Sequence, residues 1–475
     1  VQRNKLQVVT NATINAHRTN YAEVDSEQSP LNNGYDPTVN VDLGIRLTLR
    51  PSYPSRQRLG SFLVALLIAV MPITMLTGFA RASTIFYLLA AVCAMICLSQ
   101  PGGIARLVHN WKDYRGLAAA LFISLLVIAI AALRGTIRID NEIERALRLS
   151  VGTFLILGAC LALIPQWLRQ ATWGMVVTTW AATGYALWYA LPTFRRPLEV
   201  PQHNAVSYGN LLLLMAVLAT FSIGWRLTRF RKTEVVFKVL TMAVGLLGFI
   251  TTQTRGGWLV VPFFILIGWI LVTGKTSLRK LFVPALVAIL ISGAVSASSP
   301  ILRQRMHEMV TQTSECFSNP LAITSECGRL QLWHVSWLMF KDNPLFGNGT
   351  IQVFGPKLEG YWRQGIVSDF VYSQGFGEPH NDMLFSMASH GLLGLTALLL
   401  IYAAPFWIFA RRLRPQVSQP ARVAAAMGLA LVLGFFIFGW TELMLRSIRT
   451  IGFYAMAVAW LLALSDDKFL SRHEH

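Results

Sequence analysis

Apolar residues recur along this chain in blocks of about 16–24, separated by short polar turns rich in Arg, Lys, Gly and Pro. A helix of that length crosses about 30 Å of hydrocarbon. In lipid the helix is the default, because each backbone N–H and C=O must find its partner within the segment. The windows lie near residues 59–78, 84–99, 117–133, 149–165, 172–190, 206–224, 236–252, 258–273, 281–297, 383–409, 423–440 and 450–465. They predict an all-α polytopic membrane protein with about twelve transmembrane helices.

Two stretches break the pattern. Residues 1–57 are polar and lack the apolar run of a cleavable leader. They read as a cytoplasmic tail or as non-native sequence. Residues 298–382 form one long loop between the ninth and tenth windows. A helix–helix connection needs far less, and loops of that length usually carry function. Inside it, "GRLQLWHVSWLMF" has helical amphipathic spacing and "KDNPLFGNG" reads as its break. The expected organisation is therefore a tail over 1–57, helices one to nine over 58–297, a loop domain over 298–382, and three more helices with a short tail over 383–475.

Composition supports the membrane reading. Hydrophobic residues make up 54% of the chain and charged residues 13%, about half the charged share of soluble domains. A formal net charge of +18 would suggest nucleic acid in a soluble protein. Here Lys and Arg are scattered through short loops, so no nucleic-acid partner is expected. Their bias toward one set of alternating loops marks the cytoplasmic side, where both termini then lie, and suits contact with anionic membrane lipid. The long loop falls on the opposite face.

That opposite face should be poor in arginine. It nevertheless holds Arg134, Arg138, Arg145, Arg148, Arg195, Arg196, Arg255, Arg303, Arg305, Arg329, Arg363, Arg446 and Arg449. An arginine at a helix end can simply snorkel, which suffices for Arg195, Arg196 and Arg449. Arg255 differs, because it sits in the tight turn "QTRGGW" between two apolar windows. A ligand carrying pyrophosphate at the outer leaflet would account for such charge, since the guanidinium grips phosphate as a bidentate fork. His380, in "GEPHND" where the long loop re-enters the membrane, has the proton affinity to activate a sugar hydroxyl. The bland alternative is a rim histidine bonded to backbone. His390, further down the same helix, reads as a buried packing residue.

Cys93, Cys97 and Cys160 fall in apolar windows and read as packing residues. Cys316 and Cys327 share the outer loop. In an oxidising periplasm a disulfide between them is the expected state, with two free thiols as the alternative. Neither belongs to a CxxC pair, which argues against zinc. The outer acids are dispersed, the nearest grouping being Glu378, His380 and Asp382. No metal and no other cofactor is expected.

Taken in order, the hairpin arginine, "CGRLQLWHVSWLMFKDNPLFGNGT" in the loop and "HNDMLFSMASHGLLGL" closing it resemble the bacterial O-antigen ligase and polymerase superfamily, over roughly residues 200–440. The resemblance implies a GT-C-like membrane glycosyltransferase of the bacterial inner membrane with a periplasmic active site. Its donor would be an undecaprenyl-pyrophosphate-linked glycan. As a ligase it would transfer the O-polysaccharide to lipid A-core oligosaccharide, inverting the anomeric carbon without metal or ATP. By motif position His380 would be the catalytic histidine, and Arg255 and Arg329 would hold the pyrophosphate. Arg145, Arg148, Arg303, Arg305 and Asn381 are further candidate donor or acceptor contacts. His390 departs from the pattern, which has an acidic residue there in many relatives. An O-antigen polymerase, a protein O-oligosaccharyltransferase and a lipid-linked glycan transporter are the competing readings. The absence of an internal repeat and the gathering of charge at one face weigh against the transporter.

Overall fold

The computed structural model describes residues 54–99, 114–137, 139–190, 203–274 and 300–474. The predicted ninth window, 281–297, lies outside them, as do Arg138, Arg195 and Arg196. Each remaining window falls on a helix. In chain order these are α1 (Ser55–Thr77), α2 (Ala82–Ser99), α3 (Arg115–Leu133) and α4 (Ile139–Leu147). A π-helical turn, Arg148–Gly152, joins α4 to α5 (Thr153–Cys160). Then come α6 (Pro165–Gln170), α7 (Trp173–Ala190), α8 (Ala205–Phe221), α9 (Arg231–Thr251) and α10 (Val261–Thr273). The outer loop holds α11 (Pro300–Ser318), α12 (Ser325–Asp342), α13 (Ile351–Arg363) and α14 (Asp369–Ser373). The chain closes with α15 (Asp382–Arg412), α16 (Gln419–Phe438), α17 (Ile448–Leu464) and α18 (Asp467–Glu474).

The protein is an all-α polytopic membrane protein. Among the described residues, eight helices are long and apolar enough to cross a bilayer. The apolar α17 is shorter, and the fourth predicted window is interrupted by the π turn. α16 lies at the centre, against α8, α15, α17 and α10. Its run of Ala421, Ala424, Ala425, Ala426, Gly428 and Ala430 is buried. Small side chains let backbones approach where lipid supplies no hydrophobic drive between helices.

The predicted loop helix is present as α12, which ends before "NPLFGNG". Leu332, Val335 and Met339 of α12 form a small core with Leu358, Val367 and Val371, and Ala388 of α15 joins it. The loop residues are thus seated on the N-terminal part of α15. Residues 344–349 bind a break in that helix. At Gly391 the backbone turns to φ 65° and ψ −153°, a region open essentially to glycine. The carbonyls and the amide freed there are taken up by the loop. Asn348 N donates to Ala388 O at 2.9 Å, Gly349 N to Ser389 O at 2.8 Å, and Leu392 N to Pro344 O at 2.7 Å. A Cβ on Gly391 would also lie 2.5 Å from the Leu345 backbone. Gly391→Ala should therefore cost about 1–3 kcal/mol in backbone strain alone, and more from the clash. A melting temperature in detergent equal to wild type would contradict this account.

A disulfide joins Cys316, near the end of α11, to Cys327 in the first turn of α12, with Cα atoms 5.3 Å apart. It ties together the two helices that carry Glu308, Glu326 and Arg329. Peptide mapping without reduction should recover the 316–327 pair. Two alkylatable thiols in protein exported to an oxidising compartment would count against it.

Candidate active site

The turn before α15 positions the histidine. Asn381 caps α15, its Oδ1 accepting from Met383 N and Leu384 N, both at 3.0 Å, while its Nδ2 donates to Trp440 O at 3.0 Å. Next to it, the Asp382 carboxylate accepts from Met444 N at 3.1 Å, from Leu445 N at 3.3 Å and from the Tyr402 hydroxyl at 3.3 Å. These bonds latch the 439–446 turn, between α16 and α17, onto the start of α15. Asn381, a candidate substrate contact by sequence, is instead buried and engaged as a cap.

The latch brings Glu442 to His380. His380 Nδ1 lies 3.0 Å from Glu442 Oε1 and 3.9 Å from Glu378 Oε1. Glu442 is buried and also accepts from Asn204 Nδ2 at 2.8 Å and from its neighbour Leu443 N at 3.2 Å. With Nδ1–H donating to a carboxylate so held, Nε2 is the acceptor nitrogen, the arrangement a general base requires. Burial opposes charging the imidazole. The hydrogen bond and charge of Glu442, with Glu378 behind it, outweigh burial and the opposing field of Arg329, and raise the His380 pKa above the ordinary histidine value. Burial would raise Glu442, but His380, Asn204 and the Leu443 amide more than reverse it, so its pKa is lowered and it is ionised. Glu378 is raised, chiefly by burial and then by Glu442 against the field of His380.

Backbone conformation marks the same region. Two non-glycine residues among those described have positive φ, His380 at 49° and Gln253 at 52°. Such conformations persist only where surrounding structure enforces them, and they cluster at functional sites. Trp333 of α12 donates to Pro379 O at 3.0 Å, and the Phe376 ring packs edge-on against His380 at 5.6 Å. Gln253 stands two residues before Arg255 in the hairpin between α9 and α10.

Arg255 and Arg329 line one polar cavity of about 130 Å³ with Gln253, Glu326 and Thr441. His380 is not part of that lining, although Arg329 is near enough for its charge to oppose His380 protonation. The long loop closes over the arginine cavity through Arg255, whose Nη1 lies 3.0 Å from Glu326 Oε1 and whose Nη2 lies 3.8 Å from Glu308 Oε2. A phosphate-bearing ligand would have to compete with those carboxylates.

The other candidate arginines separate. Arg148 is buried in the π turn. Its Nη2 pairs with Glu144 at 2.5 Å, its Nη1 donates to Ile448 O at 3.0 Å, and its guanidinium stacks over Phe86 and Tyr87. It is a packing arginine, contrary to its reading as a substrate contact. Arg303 is exposed on α11, and the Arg305 side chain lies outside the described part. Arg145 faces Glu142 and Arg446 and lines a cavity separate from that of Arg255.

One ligand-capable atom each from Glu378, His380 and Glu442 lie within 4.8 Å of one another. Glu442 thus takes the place that sequence proximity suggested for Asp382, which is engaged with backbone amides. Two carboxylates and an imidazole are donor types a divalent cation accepts. Such an ion would have to displace the His380–Glu442 hydrogen bond. Activity should survive chelation. Loss of transfer in EDTA with recovery on adding a divalent ion would instead put a metal at this cluster.

Sequence reasoning missed Glu442. Its signal was a carboxylate in the apolar turn "GWTELML", since an acidic group at the membrane rim needs a partner.

Residues 240–399 match a family model described as O-antigen ligase. The stretch runs from α9 into α15 and contains Arg255, Arg329 and His380, while Glu442 lies beyond it. A protein of Haemophilus influenzae (strain ATCC 51907 / DSM 11121 / KW20 / Rd), described as an uncharacterized protein, is 26% identical over 231 residues, 46% of this chain. The match spans about half of that relative, 54% of its length. Over residues 240–399, on a multi-helix membrane scaffold, the chain is thus similar to the O-antigen ligase family.

Proposed function

We propose that the protein is an O-antigen ligase of the bacterial inner membrane. In this reading it transfers an O-polysaccharide from undecaprenyl pyrophosphate to lipid A-core oligosaccharide on the periplasmic side, with both termini cytoplasmic. The observation that carries the proposal is the His380–Glu442 pair, held at 3.0 Å beside arginine-lined cavities. An acceptor sugar hydroxyl gives its proton to His380 Nε2. Its oxygen attacks the anomeric carbon from the face opposite the pyrophosphate, inverting that carbon as in GT-C-type membrane enzymes. The bond from carbon to the pyrophosphate oxygen breaks, and the electron pair leaves with the phosphate. Arg255 and Arg329 stabilise that growing charge, an effect commonly worth a few kcal/mol per group. Glu442 holds the imidazole in the competent tautomer and stabilises the imidazolium that forms. Pyrophosphate is a good leaving group, so no separate general acid is needed, and the scheme uses no metal or nucleotide.

Deleting the gene tests the assignment. A ligase mutant should accumulate long lipid-linked polymer and lack polymer on lipid A-core. Accumulation of single, unpolymerised repeats would identify a polymerase. Unmodified glycoprotein with normal lipopolysaccharide would point to a protein O-oligosaccharyltransferase. Repeats trapped on the cytoplasmic face would point to a transporter.

A further inference from the structure

A second cavity, of about 110 Å³, lies between α3, α4 and α15, and Leu445 and Arg446 of the 439–446 turn line it. The turn serves both cavities. Thr441 lines the Arg255 cavity, Glu442 meets His380, and Arg446 lines the second cavity.

Two features of the second cavity call for a ligand. The first is its charge. Arg145 Nη1 and Arg446 Nη1 both converge on Glu142 Oε1, at 2.6 and 3.1 Å. Two partly buried guanidiniums thus share one carboxylate oxygen, with the Glu378 carboxylate also within their field, and present paired cationic groups to the cavity. The second is His390, only 8% exposed, whose Nε2 lines the cavity without a hydrogen-bond partner. A buried polar atom so placed is costly unless something completes it.

The walls identify the kind of ligand. The lining positions on α15 include Asp382, Ser386, His390, Gly394, Leu398 and Ile401, spaced at three to four residues and therefore on one face. The Gly391 break divides the stripe, with Asp382, Ser386 and His390 before it and Gly394, Leu398 and Ile401 after it. The stripe is polar at the outer end and apolar below, and Val127 and Ile128 of α3 continue the apolar side.

We propose that this groove binds a phosphate carried on a lipid, separately from the Arg255–Arg329 cavity. The phosphate bridges Arg145 and Arg446 and accepts from His390 Nε2, while the chain lies along the apolar stripe of α15. The inference rests on the reading of the protein as acting on lipid-linked phosphates, and it gives the reaction a second phosphate site.

The test is direct binding to the full-length protein in detergent micelles, with undecaprenyl phosphate as probe and native mass spectrometry as readout. Wild type should bind the probe. Arg446→Gln should weaken binding about tenfold or more, the usual effect of losing a charge-assisted hydrogen bond. Leu398→Trp, which fills the apolar stripe and leaves the charges in place, should weaken it too, so the result does not depend on one variant folding. Equal displacement by phosphatidylglycerol would keep the site and assign it to bulk anionic lipid. Preference for the polyprenyl lipid would assign it to a substrate. Inorganic phosphate competing as well as the lipid would overturn the proposal, as would binding unchanged in both variants or absent in wild type, with His390 then completed by water alone. Transfer is assayed in parallel. Wild type that binds lipid but transfers no glycan sinks the ligase reading and leaves the site standing. Transfer in variants with unaltered lipid binding does the reverse.

Discussion

Alanine in place of His380 should lower turnover by about 10²–10⁴-fold, the range for removing a positioned general base, with donor affinity little changed. The imidazole works through proton transfer, whereas the pyrophosphate is gripped by guanidiniums. The pair with Glu442 adds a test in pH. A base must be neutral to accept a proton, so turnover should rise with pH through the His380 pKa, which is raised above the ordinary value. In Glu442→Gln the raising influence of the carboxylate is gone, while burial and Arg329 still oppose the charged form. The acidic limb should therefore move to lower pH even though maximal turnover falls, because the imidazolium formed in the reaction has lost its counter-charge. A merely structural Glu442 would lower the yield of folded protein and leave the limb where it was. Single-turnover transfer by purified, folded variants across pH decides between them. Normal transfer by folded His380→Ala protein would remove the histidine from the mechanism.

Loss of the Arg255 guanidinium should weaken donor binding and turnover together. Charge-assisted hydrogen bonds contribute about 1.5–3 kcal/mol each, so Arg255→Ala should cost roughly 10–100-fold in donor affinity. Arg255→Lys should restore only part of this, since an ammonium is a point charge and cannot replace a bidentate fork. Arg255 already pairs with Glu326 at 3.0 Å, and that pairing makes a second, opposite expectation. Glu326→Gln removes the nearer competing charge, leaving Glu308 at 3.8 Å, and should tighten donor binding while preserving the side chain's shape. A donor titration in which Arg255→Ala binds like wild type would assign the arginine to holding down the loop domain, through Glu326 and Glu308, and not to substrate.

Much of the scaffold was legible because bilayer physics acts on local sequence. A window either can or cannot cross the hydrocarbon, and each window on the described residues became a helix. The loop helix and its Pro/Gly break were legible for the same local reason. Arg255 and Arg329 do share a cavity. His380, however, faces a partner that no local pattern announced. Glu442 is 62 residues away in the chain and arrives only because Asn381 and Asp382 bind the backbone of the 439–446 turn.

Hydrophobicity by itself determined that α10 and α16 enter the membrane, and it cannot rank them further. The spans containing them have the same mean hydropathy, yet 22% of the one at Gly256–Thr273 and 78% of the one at Gln419–Phe438 is buried. Lipid tails are as apolar as a protein core, so sequence reports only that a residue avoids water. Whether it meets lipid or another helix is decided by close packing. The same holds for charge. Sequence placed Arg145 and Arg148 three residues apart on the outer face, and the fold turned one toward a cavity and the other into a cage of Glu144, Phe86 and Tyr87. A side chain's direction follows from the helix it sits on and the neighbours that helix meets, and those neighbours exist only in the assembled bundle.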